Sequence, residues 1–123
     1  MPKLLIVDDE PKIREMIAAA LEQEDRQIAL AESGEQALTL IKQQPPHLII
    51  ADVKMNGMSG IELLEQVKAS WPQTAVLLLT GYDDDAIEQQ AKALGASGII
   101  HKPLTIPEVR QTINAVLAEI PQS

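Results

Sequence analysis

Short apolar runs alternate five times with stretches of helical periodicity. Lys3–Val7, Gln27–Ala31, Leu48–Ala51, Ala75–Leu79 and Gly98–His101 read as strands. Leu4-Leu5-Ile6-Val7, Leu48-Ile49-Ile50-Ala51 and Ala75-Val76-Leu77-Leu78-Leu79 are apolar without interruption, as strands covered on both faces must be. Gln27-Ile28-Ala29-Leu30 alternates instead, which predicts an edge strand. Between the runs the apolar period lengthens to that of a helix. Ile13, Met16, Ile17, Ala20 and Leu21 mark a first stripe, and Ala37, Leu40 and Ile41 a second. Ile61, Leu64 and Val67 form a third, Ile87, Ala91 and Leu94 a fourth, and Val109, Ile113, Val116, Leu117 and Ile120 a fifth.

Helix boundaries are signed chemically. Ser33 with Gln36, Ser59 with Glu62 and Thr105 with Glu108 have capping-box spacing, a hydroxyl for one free N–H and an acceptor three residues on. Gly95 suits a left-handed stop after the fourth helix, while Pro45-Pro46 and Pro72 close the second and third. Five βα units in series predict an α/β fold, a doubly wound parallel five-stranded sheet with helices on both faces. Residues 1–120 make one domain, and 121–123 read as a tail or the start of a linker.

Composition narrows the functions available. With one Trp, one Tyr and no Phe among 123 residues, the core is aliphatic and a mechanism needing a stacking platform has few residues to work with. A net charge of −8 repels a phosphate backbone, so nucleic-acid binding is not expected, and a cation or a basic partner is the better electrostatic match. The absence of Cys excludes disulfides and thiolate sites. No apolar run approaches a membrane span and the N-terminus does not resemble a signal peptide, so the expectation is a cytoplasmic protein.

In doubly wound sheets, ligands bind at the carboxyl ends of the strands. Those ends carry Asp8-Asp9-Glu10 after the first strand, Asp52-Val53-Lys54 after the third, Thr80-Gly81 after the fourth and Lys102-Pro103 after the fifth. Three carboxylates on one rim repel one another unless a cation joins them. All-oxygen ligands with room for water suit Mg²⁺ better than Zn²⁺. A carboxylate beside such a cation is a nucleophile toward phosphorus, with the Lys102 ammonium and Thr80 hydroxyl available to phosphoryl oxygens. Taken singly, each residue has a plainer reading: an Asp as cap or turn, a Thr as strand end, Lys-Pro as a loop exit. Their convergence on one rim favours the chemical reading.

These residues resemble the receiver domain of bacterial two-component response regulators. The resemblance runs from Leu4 to about Ala118 and rests on Val7-Asp8-Asp9-Glu10, Asp52 with Met55 and Gly57-Met58-Ser59-Gly60, Thr80-Gly81, Gly95-Ala96 and Lys102-Pro103. It implies a flavodoxin-like (βα)₅ fold with strand order 2-1-3-4-5. It also implies that Asp52 accepts a phosphoryl group from a sensor histidine kinase or a small phosphodonor, in a protein that turns over no external substrate. Asp9, Asp52 and the Lys54 backbone carbonyl would ligate Mg²⁺ (or Mn²⁺) directly, and Asp8 through water. Thr80 and Lys102 would bind the phosphoryl oxygens, and the Lys102–Pro103 bond would be cis. Lys54 and Tyr82 would flank the phosphoryl group and help set its hydrolysis. The surface made by Asp84–Leu94, Gly98–His101 and Ile106–Ala118 would serve an output domain, a partner protein or a second copy.

Two positions depart from the family pattern: Asn56 stands where Pro is common, and Ile99 where an aromatic residue usually couples to the threonine. Two other readings compete, a receiver-like module with atypical switching and an aspartyl-phosphate phosphatase. Against the second, Lys54 rather than an acid lies two residues after Asp52. The remaining signals have structural readings. His47 is expected to be a solvated loop residue and His101 an exposed strand residue; Trp71 should pack over the end of the third helix. Asp83-Asp84-Asp85 reads as acid favoured at a helix start, and Met55 and Met58 as loop packing.

Overall fold

A computed structural model describes residues 2–21, 26–81 and 85–120. Tyr82, Asp83, Asp84 and the tail at 121–123, each named in the sequence reading, lie outside the described residues. The strands are β1 (Lys3–Val7), β2 (Gln27–Ala31), β3 (Leu48–Asp52), β4 (Ala75–Thr80) and β5 (Gly98–His101). The helices are α1 (Pro11–Ala20), α2 (Gly34–Gln43), α3 (Gly60–Ser70), α4 (Asp85–Ala93) and α5 (Ile106–Glu119). All pairings are parallel, in the order β2-β1-β3-β4-β5.

Alternation along the strands divides the core in two. Leu4, Ile6, Leu48, Ile50, Leu77, Leu79 and Ile100 face α1 and α5, where they meet Ile17, Val109 and Ile113. Leu5, Val7, Ile49, Ala51, Val76 and Leu78 face α2, α3 and α4 and meet Ile41, Leu64 and Ala91. β2 lies at an edge as its alternation predicts, with Leu30 exposed. Leu63 is also fully buried, so the apolar face of α3 is wider than the predicted stripe.

Ser59 and Glu62 form a full capping box. Ser33 caps α2, but the Gln36 side chain reaches past it to the Glu32 N–H at 2.7 Å. Thr105 accepts from the Glu108 N–H at 3.4 Å. Gly95 takes φ +100°; its N–H donates to the Lys92 carbonyl, and that of Ala96 to the Ala91 carbonyl, so both orphan acceptors are satisfied. Trp71 ends α3 and packs on the second core cluster.

Both histidines are more engaged than predicted. His47 is half-buried, and its Nδ1 accepts from the Lys3 N–H at 3.0 Å. His101 is half-buried on β5, with Nε2 3.1 Å from Glu88 Oε2 on α4. The sequence shows neither partner because one lies 44 residues away and the other 13.

Candidate functional site

β1 sits between β2 and β3, so strand order reverses there, and the crevice beyond Val7 and Asp52 is where such a sheet receives ligands. Asp8 leaves β1 fully buried at 0% exposure; Asp52 and Thr80, each 3% exposed, are the last residues of β3 and β4 rather than the first after them. Asp9 is half-buried and Lys54 exposed. One oxygen from each of Asp8, Asp9 and Asp52 lies within 4.8 Å of the others. The three predicted carboxylates do converge.

Backbone N–H groups aim them. Asp8 Oδ1 accepts from Glu10 at 2.9 Å, Asp9 Oδ2 from Asn56 at 3.1 Å and Asp52 Oδ1 from Lys54 at 3.2 Å. Arg14 Nη1 donates to the Asp8 carbonyl at 2.6 Å and ties α1 to the end of β1. Neither Arg14 nor the Asn56 N–H was foreseen as part of the site. Arg14 carried a weak signal, a cation one turn into the helix that follows the acidic run.

Lys102 completes the rim: its Nζ lies 2.7 Å from Asp52 Oδ2. The Lys102–Pro103 peptide bond is cis, and the Lys102 N–H donates to the Thr80 carbonyl at 2.8 Å, holding the end of β5 against that of β4. Burial alone would lower the Lys102 pKa, but the hydrogen bond to Asp52 and the charges of Asp52, Asp8 and Glu10 outweigh it and raise it. Gly60 explains why α3 can begin so close to the acid. A Cβ there would fall 2.9 Å from Val53 Cα and still closer to the Asp52 carbonyl oxygen.

One ammonium does not balance three carboxylates. Among the described residues, buried Asp8 Oδ2 has no hydrogen-bond partner, a costly state for a carboxylate oxygen. The Asp8 pKa is pushed up from 3.8 to about 6, chiefly by burial, with Asp52 adding to the rise and the Glu10 N–H opposing it. An unsatisfied, inward oxygen within a three-carboxylate cluster fits a hard divalent cation.

Comparison with known proteins gives the family. Residues 4–114 match the model of the family described as "Response regulator receiver domain". The chain belongs to this family. As a receiver domain it is a signalling module of two-component systems, and its function is that of a phosphorelay receiver. It is 38% identical to a Rhizobium etli protein described as "Probable chemotaxis protein CheY", over 96% of this chain and 94% of that one. It is 35% identical to Sporulation initiation phosphotransferase F of Bacillus subtilis, over 94% and 93% of the two chains. The crystallised chemotaxis response regulator CheY4 of Vibrio cholerae superposes with a TM-score of 0.88 at 31% identity, covering 94% of this chain and 98% of that one. The phosphatase and atypical-module readings find no support in these matches. No helix among the described residues is long and apolar enough to cross a membrane.

Proposed function

We propose that Asp52 is the phosphoacceptor of this receiver and that a sensor histidine kinase supplies the phosphoryl group. The observation that carries the reading is the Lys102 ammonium 2.7 Å from a nearly buried Asp52, on a rim where Asp8 Oδ2 has no partner. An Asp52 oxygen attacks phosphorus, the phosphorus–nitrogen bond of the phosphohistidine breaks with its electron pair returning to the ring nitrogen, and the ring, already protonated on its other nitrogen, leaves as neutral imidazole. Water later attacks the same phosphorus, releasing inorganic phosphate and restoring the carboxylate. Lys102 and Thr80 take charge that develops on the phosphoryl oxygens, and the N–H of Lys54 keeps the acceptor carboxylate oriented. Asp8, Asp9, Asp52 and the Lys54 carbonyl would hold Mg²⁺ or Mn²⁺, which when bound neutralises the carboxylates and screens the incoming phosphoryl charge.

The only chemistry is then the protein's own phosphorylation and dephosphorylation. The α4–β5–α5 surface is the place for an output domain, a partner protein or a second copy, and the cytoplasm is the compartment that matches a kinase partner. Ile99 packs on the second core cluster with Ile87 and Leu94, so aliphatic packing stands where the family uses a ring.

The test is incubation with Mg²⁺ and acetyl phosphate, followed by intact mass of the native protein and of Asp52→Asn. The native protein should gain one phosphoryl group and the variant none. A gain in both, or in neither, contradicts the assignment.

A further inference from the structure

We propose that Asn56 is a site of spontaneous deamidation, which installs a new carboxylate on the loop that holds Asp9. In the reaction, the Gly57 backbone nitrogen attacks the carbonyl carbon of the Asn56 amide group. A carbon–nitrogen bond forms to close a five-membered succinimide, the bond from that carbon to the amide nitrogen of Asn56 breaks, and ammonia departs with the proton that Gly57 gives up. Water then opens either carbonyl of the ring, leaving aspartate or isoaspartate. Nothing beyond water is consumed and no redox change occurs.

Four features of the fold favour attack here. Asn56 and Gly57 are both exposed, on the loop between β3 and α3. Gly57 has no Cβ to obstruct the approach of its nitrogen, and the turn requires glycine because φ is +79°. Among the described residues the Gly57 N–H makes no hydrogen bond, so the nucleophile has none to give up. The one hydrogen bond at Asn56, from its own N–H to Asp9 Oδ2, leaves its amide group out of the contact. The turn that lets the loop clamp Asp9 is thus the turn that exposes Asn56 to its neighbour.

The protein carries its own control, since its two asparagines are Asn56 and Asn114. Asn114 lies within α5, where the following N–H is committed to the helix, and its Oδ1 accepts from Arg26 Nη2 at 2.5 Å. At residue 56 the product adds negative charge to the loop that holds Asp9, one of the three clustered carboxylates, and isoaspartate also lengthens the backbone just after the N–H that holds Asp9. Ageing therefore changes the electrostatics of the site without a kinase. This consequence rests on the functional reading above, whereas the deamidation chemistry does not.

The test ages the native protein for several days at mildly alkaline pH and maps its peptides by mass, with an isoaspartate-specific carboxyl methyltransferase as label. The expected result is a gain of one dalton and methyl acceptance confined to the peptide containing residue 56. Asn56→Gln, which would have to close a larger ring, should show neither. Gly57→Ala is a poor probe, because it forces Ala into a left-handed turn with Glu35 Oε2 3.1 Å from the new Cβ. A urea-unfolded sample aged in parallel shows what the bare sequence does. Equal gain at Asn114, or a folded protein unchanged at residue 56 while the unfolded one deamidates there, overturns the proposal. Phosphorylation is not read, so failure of this inference and failure of the Asp52 assignment are separable.

Discussion

At the amino-terminal edge of the sheet, polar groups satisfy one another; at the carboxyl edge, three carboxylates share one ammonium. Lys3 N–H donates to His47 Nδ1, Thr74 Oγ1 to the Pro46 carbonyl at 3.1 Å, and Lys68 Nζ to the Thr74 carbonyl at 2.8 Å. Burial lowers the Lys68 pKa, yet that ammonium meets a backbone acceptor. Across the sheet, Asp8, Asp9 and Asp52 crowd together and an Asp8 oxygen goes without a partner. The same strands support both ends, so the difference lies in the residues that cap them. Stability is concentrated where donors and acceptors close, and chemistry where they do not.

The contrast can be broken at Gly60 in stability and chemistry together. Gly60→Ala gains up to about 1 kcal/mol of helix propensity. It also places a Cβ against the backbone of Asp52 and Val53, which has no rotamer by which to swing aside. Overpacking against backbone wins, and a net loss of about 2 kcal/mol is expected in denaturant titration, together with weaker phosphoryl uptake.

The pH dependence of metal-free stability gives a comparable effect. With a folded pKa of about 6 against an ordinary 3.8, Asp8 keeps a proton in the folded state that the unfolded protein has released. Its contribution is fully present below the unfolded value and is lost as pH rises through about 6, a change of about 3 kcal/mol. Urea titrations without metal should show stability falling across that window. Saturating Mg²⁺ should flatten the fall.

Thr74→Val sharpens the comparison from the other end. It removes a buried donor from the Pro46 carbonyl and should cost about 1–2 kcal/mol, read as a lower denaturation midpoint at unchanged slope. Phosphoryl uptake and cation response should not move.

The sequence shows the two ends unequally. The rim is legible because its chemistry is carried by polar and charged residues at strand ends: apolar runs stop at Asp8, Asp52 and Thr80, and Lys102 follows directly on β5. The alternation of Gln27–Ala31 likewise announced an edge. His47 and His101 were misread as solvent-facing because a half-buried histidine has no local signature and its acceptor or donor comes from a distant segment. The pinning of Asp9 by the Asn56 N–H was invisible for a related reason: it is a backbone contact, 47 residues apart, that any residue but proline could supply. The close approach that demands Gly60 depends on where α3 starts relative to β3, which periodicity does not fix.

The carboxyl edge holds an uncompensated charge, costly chiefly because Asp8 is buried and further because Asp52 repels it, and a cation would relieve both. Thermal unfolding of the native protein and Asp8→Asn, each with and without Mg²⁺, tests it most directly. Replacing a buried, partnerless carboxylate oxygen with a neutral amide should raise the metal-free midpoint and abolish most of the Mg²⁺-induced rise seen in the native protein. A metal-free midpoint that falls, with the Mg²⁺ response intact, would contradict the account.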